Sequence, residues 1–122
     1  MASTSIVETQ RGSWIEISLK GRVDAFNDRR LMSQMEKCLQ PPGRKIVLEL
    51  SQCEFMSMAF LRGLVGLAQK LEAQGGRFVL LTPHHQVKRQ IEIFVGNNLF
   101  EIYRSFRDLE LTEHQSETSA YF

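Results

Sequence analysis

The stretch Ile46-Val-Leu-Glu-Leu-Ser-Gln-Cys-Glu-Phe-Met-Ser-Met-Ala-Phe-Leu-Arg-Gly-Leu64 decides the fold. Residues 45–50 are rich in Ile, Val and Leu with almost no alternation, which predicts a central strand covered on at least one face. A short polar stretch follows and reads as a loop. From residue 58 to 73 the period changes. Phe60, Leu61, Leu64, Leu67, Ala68 and Leu71 gather on one broad face at ~100° per residue, the mark of an amphipathic helix. The stretch therefore reads as strand, loop and helix, with any site at the helix N-terminus.

Working outward, residues 6–9 and 14–19 alternate well enough for two strands. Arg11-Gly12-Ser13 between them predicts a hairpin turn. A loop over 21–27 leads to Asn27, a good N-cap, with Asp28 in the first turn of the helix it opens. Leu31, Met35, Cys38 and Leu39 mark the inner face of that helix, and Pro41-Pro42-Gly43 stops it. Gln74-Gly75-Gly76 ends the 58–73 helix by supplying a residue that takes positive φ. Residues 77–81 form a second central strand. Thr82 as N-cap and Pro83 at the first helical position open a helix whose inner face is Val87, Ile91 and Phe94, ended by Gly96-Asn97-Asn98. Residues 99–103 read as a short edge strand. Ser105 and Asp108 suggest a capping box for a last helix ending near Leu111. The order is that of an α/β fold. One mixed sheet of four or five strands, with helices mainly on one face, satisfies it. The domain spans 1–111, and 112–122 reads as a polar, loosely held tail.

At 122 residues and 43% apolar, the chain is a single domain able to bury a core without staples. A net charge of +1 gives no electrostatic case for nucleic acid or an anionic membrane. No apolar run approaches membrane-spanning length and the first ten residues have no signal-peptide pattern, so the expected location is the cytoplasm. Cys38 and Cys53 read as free, buried or half-buried thiols.

Several pieces resemble, in order, the STAS domain of bacterial anti-sigma factor antagonists. Gly21-Arg-Val-Asp-Ala resembles that family's glycine-x-hydrophobic-aspartate turn. Residues 46–51 resemble its strand ending in Asp-Leu-Ser, with Glu49 where Asp is usual. Phe55-Met56 resembles the pair before its phosphorylation site. Gly75-Gly76-Arg-Phe-Val-Leu-Leu resembles its glycine-led strand, and residues 87–100 its closing helix and exit. The resemblance covers roughly residues 6–111 and implies a STAS fold with no catalytic residues and no cofactor. It also implies partner switching with a serine kinase/anti-sigma factor in transcription control. The departure is local. The family's Asp-Ser-Ser/Thr-Gly is here Ser57, Met58, Ala59 and Phe60. Phosphorylation needs an oxygen nucleophile, and neither thioether nor methyl supplies one. Ser57 is the hydroxyl left at the junction, as a shifted phosphorylation site or simply as the helix N-cap.

Ala59, Gly63 and Gly66 line up within a sector of roughly 60° on the helix beginning at Met58. Two mid-helix glycines cost ~1 kcal/mol each relative to alanine, so a close backbone approach is expected there. The approaching element is either a partner helix, flanked by Met58 and Arg62, or a neighbouring helix of the same domain. The expected partner surface is Asp24, Asn27, Ser57, Met58, Ala59, Arg62, Gly63 and Gly66, with Asp24 alternatively a turn former. The same helix face could serve a homodimer. A STAS scaffold subunit, for example of a lipid-transport complex, and a nucleotide- or small-ligand-sensing domain are the competing readings. There is no P-loop, and no metal site is expected. His84-His85 point about 100° apart on a helix and do not chelate. Glu49 and Glu54 read as strand-end and loop charges. No sequence context suggests an enzyme.

Overall fold

The computed structural model describes residues 4–81, 83–94 and 100–119; for Phe94 and residues 114–119 it describes the backbone alone. Among the described residues the elements are β1 (Ser5–Arg11), β2 (Trp14–Val23), α1 (Asp28–Lys37), β3 (Lys45–Glu49), β4 (Cys53–Met56), α2 (Met58–Ala73), β5 (Arg77–Leu81), α3 (His85–Phe94), β6 (Glu101–Tyr103) and α4 (Phe106–Ser119). They form the expected mixed α/β fold. The sheet order is β1-β2-β3-β5-β6, with β4 paired to β2 off this path. Among the described residues the β1–β2 pairing alone is antiparallel.

The sixth strand corrects the expectation of a loop at 53–56. β2 is long enough to serve two neighbours. Its first half, Ile15 to Ser18, pairs with β3, and its end, Gly21 to Val23, pairs with β4. The register shifts between Gly21 and Arg22. Gly21 takes φ +96°, a conformation that disfavours side-chain-bearing residues, and its N–H donates to the Gln52 carbonyl at 2.9 Å. Four residues between Ser-Gln and a helix are too few to show a period, so the strand was hidden.

Both faces of the sheet are covered, which explains the unbroken apolar runs. Ile46, Leu48, Phe78 and Leu80 face α1, α2 and α3 in the larger core. Val47, Val79 and Leu81 face the other way, onto Trp14 and the α4 residues Phe106 and Leu109. Three helices on one face and one on the other match the expected layering.

α2 has the predicted bounds. Gly75, at φ +83°, ends it, with Gly76 N–H donating to Leu71 O (2.9 Å) and Gly75 N–H to Glu72 O (3.0 Å). Several other ends differ from expectation: β1 spans Ser5–Arg11, β2 runs on to Val23 into the expected loop, α1 stops at Lys37 before Cys38 and Leu39, and β3 stops at Glu49. α3 begins at His85, so Pro83 is not its first residue. His84 takes the capping role, with Nδ1 accepting from Gln86 N–H at 3.3 Å and its carbonyl from Lys88 N–H at 2.9 Å. Proline cannot donate, so it is tolerated in the lead-in just before the helix. β6 begins at Glu101, two residues later than predicted. α4 runs past Leu111 to Ser119, held in part by Glu113 contacts to Trp14, Lys45 and Arg77. Thr82, the Gly96-Asn97-Asn98 stop, Leu99 and the side chain of Phe94 lie outside the described residues.

Candidate functional site

The C-terminal ends of β2 and β4 converge on the N-terminus of α2, and there the candidate residues meet. The Ser57 N–H donates to the Val23 carbonyl at 2.7 Å, which ties the start of α2 to the end of β2. Ser57 is the N-cap, with φ −65° and ψ 155°. Its Oγ accepts from Phe60 N–H at 3.1 Å and donates to Asp28 Oδ2 at 2.9 Å. The hydroxyl is thus committed on both sides, to a helix amide and to a carboxylate on α1. Met58 is half-buried, Ala59 and Arg62 are exposed, and Phe60 is buried in the larger core.

Gln90 of α3 locks the strand leading into this junction. The Met56 N–H donates to Gln90 Oε1 at 3.2 Å, and Gln90 Nε2 donates to the Met56 carbonyl at 2.9 Å. The side-chain amide therefore stands in for a further strand along β4. Sequence reading missed Gln90. The available signal was a polar residue beside Ile91 and one turn from Val87, on the helix's apolar side.

The loop between β2 and α1 is stitched by its own side chains. Asp24 Oδ1 accepts from Phe26 N–H at 3.0 Å, so Asp24 forms the turn. Asn27 occupies the N-cap position of α1 but makes no side-chain capping bond, which corrects the expected role. Its Oδ1 accepts from Asp24 N–H at 2.9 Å, and its Nδ2 donates to Arg22 O and Thr4 Oγ1, both at 3.0 Å. A side chain already spent on the loop, the end of β2 and Thr4 cannot also cap the helix. The tip of this loop is Phe26, fully exposed and absent from the sequence-based surface.

The small-residue strip of α2 divides in two. A Cβ on Gly63 would strike Cε and Sδ of Met32 on α1. Gly63 thus faces α1 of the same domain, across the Met32 side chain. A Cβ on Gly66 would have nothing within 4 Å, so this glycine carries its helix cost without a packing reason. Gly66→Ala is expected to stabilise the fold by about 0.5–1 kcal/mol, read as a higher urea midpoint at unchanged slope. Near the start of the strip a groove of about 330 Å³ opens between α1 and α2, lined by Asp28, Arg29, Met32, Ser33, Ala59 and Phe60.

Other candidates resolve into structure. Cys53 is buried, and loss of solvation pushes its thiol up to about 11, only partly offset by a backbone hydrogen bond at Phe55; such a thiol is no nucleophile near neutral pH. Cys38 is half-buried and unpaired in any disulfide. Glu49 accepts from Ser51 N–H at 2.8 Å in the turn after β3. Among the described residues no group of three His, Cys, Asp or Glu side chains is placed to hold a metal, and no helix is long and apolar enough to cross a membrane.

Comparison with known folds follows this geometry. The chain is similar to an anti-sigma factor antagonist from Mycobacterium paratuberculosis, with 19% identity, a TM-score of 0.79, and coverage of 90% of this chain and 93% of that one. It is similar to the anti-sigma factor antagonist SpoIIAA in its unphosphorylated form, at 16% identity and TM-score 0.70, covering 92% and 97%. It also resembles part of the murine Slc26a9 anion transporter, at 16% identity and TM-score 0.73, covering 88% of this chain and 18% of the transporter. At these identities the likeness is one of fold. The model of the STAS domain matches residues 5–109, and the chain belongs to the STAS domain family.

Proposed function

We propose that this protein is a non-catalytic regulator of the anti-sigma factor antagonist kind. On this reading it works in the bacterial cytoplasm by binding a serine kinase/anti-sigma factor and so releasing what that partner holds. The observation that carries the reading is the state of Ser57. Its hydroxyl caps α2 and faces the Asp28 carboxylate, while the next two positions, Met58 and Ala59, offer no oxygen.

A phosphate on Ser57 would gain from the helix dipole, by about 0.3–1 kcal/mol and at most ~2. It would also stand beside Asp28. Two unit charges at ~4 Å near a protein surface repel by about 4 kcal/mol, and a phosphate carries up to two. Repulsion wins, so the junction works without a phosphoserine switch and the protein is constitutively competent to bind. The proposed surface is Met58, Ala59, Arg62 and Gly66, with Asp24 and Asn27 holding the adjacent loop and Gly63 seating α1 from within.

The test is a pull-down from native lysate with wild type and Met58→Asp side by side, read by mass spectrometry. Aspartate in the first turn of α2 suits the helix dipole, so the variant should fold. A kinase-like protein held by wild type and lost from the variant is the expected result. Equal capture by both would move the binding surface elsewhere and remove the basis of this reading.

A further inference from the structure

Phe26 is the large apolar side chain that the fold leaves 100% exposed. The loop beneath it is fixed. Its N–H donates to Asp24 Oδ1 at 3.0 Å, and Asn27 ties the same turn to Asp24, Arg22 and Thr4. A ring displayed on a pre-ordered loop can supply contact area with little ordering cost. Three exposed arginines, Arg22, Arg29 and Arg30, lie within four residues of it. The two carboxylates of this segment, Asp24 and Asp28, are half-buried and already accept hydrogen bonds from the protein itself. The exposed ionic side chains of residues 22–30 are therefore all positive.

We infer that Phe26 is the anchor of the partner-binding surface, seating in an apolar pocket of the protein partner whose rim carries carboxylates that meet Arg22, Arg29 and Arg30. This rests on the proposed binding function and adds a residue and the chemistry of the complementary pocket. Aromatic anchors in desolvated pockets dominate the energy of such contacts, and rim charges set approach and register. The Arg22 guanidinium stacks 4.8 Å from the Phe55 ring centroid, which holds one of the rim cations beside the loop.

The test places the photo-crosslinking residue benzoylphenylalanine at position 26, and in a second chain at position 58, inside native cells. Mass spectrometry identifies what each captures. The same kinase-like protein at both positions is the expected result. That protein, purified, is then titrated with wild type, Phe26→Ala and the double variant Arg29→Glu/Arg30→Glu. Phe26→Ala should weaken binding by about 30-fold or more with an unchanged thermal midpoint, since the ring is fully exposed. The double variant should weaken it too and flatten its dependence on salt.

Capture at 58 without capture at 26, or unchanged affinity in Phe26→Ala, overturns the anchor while leaving the proposed function standing. A protein that is not kinase-like, captured at both positions and lost about 30-fold in Phe26→Ala, defeats the proposed function and keeps the anchor. A crosslink from 26 to a second copy of this chain overturns the anchor. So does sedimentation of wild type but not Phe26→Ala with vesicles of phosphatidylglycerol and phosphatidylcholine. No capture at either position overturns both.

Discussion

Phe60→Gly is expected to lower the thermal midpoint by about 15–20 °C. The substitution restores the glycine that the resemblance to anti-sigma factor antagonists places there, so a naive expectation would be improvement. The structure argues the reverse. Phe60 is 1% exposed and among the largest fully buried side chains. Removing a buried phenylalanine costs about 3–5 kcal/mol, and a glycine in the helix adds ~1 kcal/mol. Against a total stability of roughly 5–15 kcal/mol, that is a large fraction. Urea unfolding followed by circular dichroism gives the loss directly. A midpoint within error of wild type would mean that the first turn of α2 is not anchored in the core as described.

The same residue explains why the junction cannot simply be converted back into a phosphorylation site. Phe60 donates its N–H to Ser57 and sends its ring into the core. The first turn of α2 is thus built as a packing element. Two further contacts confirm that investment: Asp28 reaches across from α1 to Ser57, and Gln90 from α3 to Met56. All three helices of the larger core converge on one short segment. The resulting rigidity is what a surface needs to bind with little loss of freedom.

How much of this was legible follows from which forces act locally. α2 and β5 could be bounded to the residue because their ends are set by nearby chemistry: a serine cap, a glycine pair, an apolar run. β4 could not, since its pairing with the far end of β2 is a long-range event fixed by the bend at Gly21. Asn27 shows the same limit. Its type suits capping, yet Thr4, just before β1 and distant in sequence, competes for its side chain. Gly63 and Gly66 look alike in the sequence, and only the position of Met32 separates them. The extent of α4 was hidden because Glu113, in a polar segment, finds its partners on β2, β3 and β5.

Trp14→Ala is expected to cost about 3–5 kcal/mol and to loosen α4 before the rest. Trp14 is 1% exposed and belongs to the smaller core with Val47, Val79, Leu81, Phe106 and Leu109. Its Nε1 donates to Glu113 Oε2 at 3.2 Å. Lys45 Nζ and the Arg77 guanidinium stand 5.2 and 5.5 Å from the ring centroid. Both cations also donate to Glu113 Oε1, at 3.1 and 3.0 Å. Alanine empties the space under α4 and removes one of three donors to that carboxylate. Hydrogen exchange should therefore accelerate over 106–113 well before it does in α2, whereas Trp14→Phe should keep most of the protection. Acid supplies an independent reading. Burial alone would raise the Glu113 carboxyl, but hydrogen bonds from Trp14 and Lys45 and the charges of Lys45 and Arg77 together hold it below the ordinary carboxylate range. A depressed folded value means stability present above the unfolded carboxylate range and lost as pH falls through the folded value. Wild type should thus exceed Glu113→Gln in thermal midpoint at neutral pH, and the gap should close as pH falls below the ordinary glutamate value of about 4.3 and through the lowered folded value. A gap that does not change with pH would mean that Glu113 holds α4 by packing and not by charge.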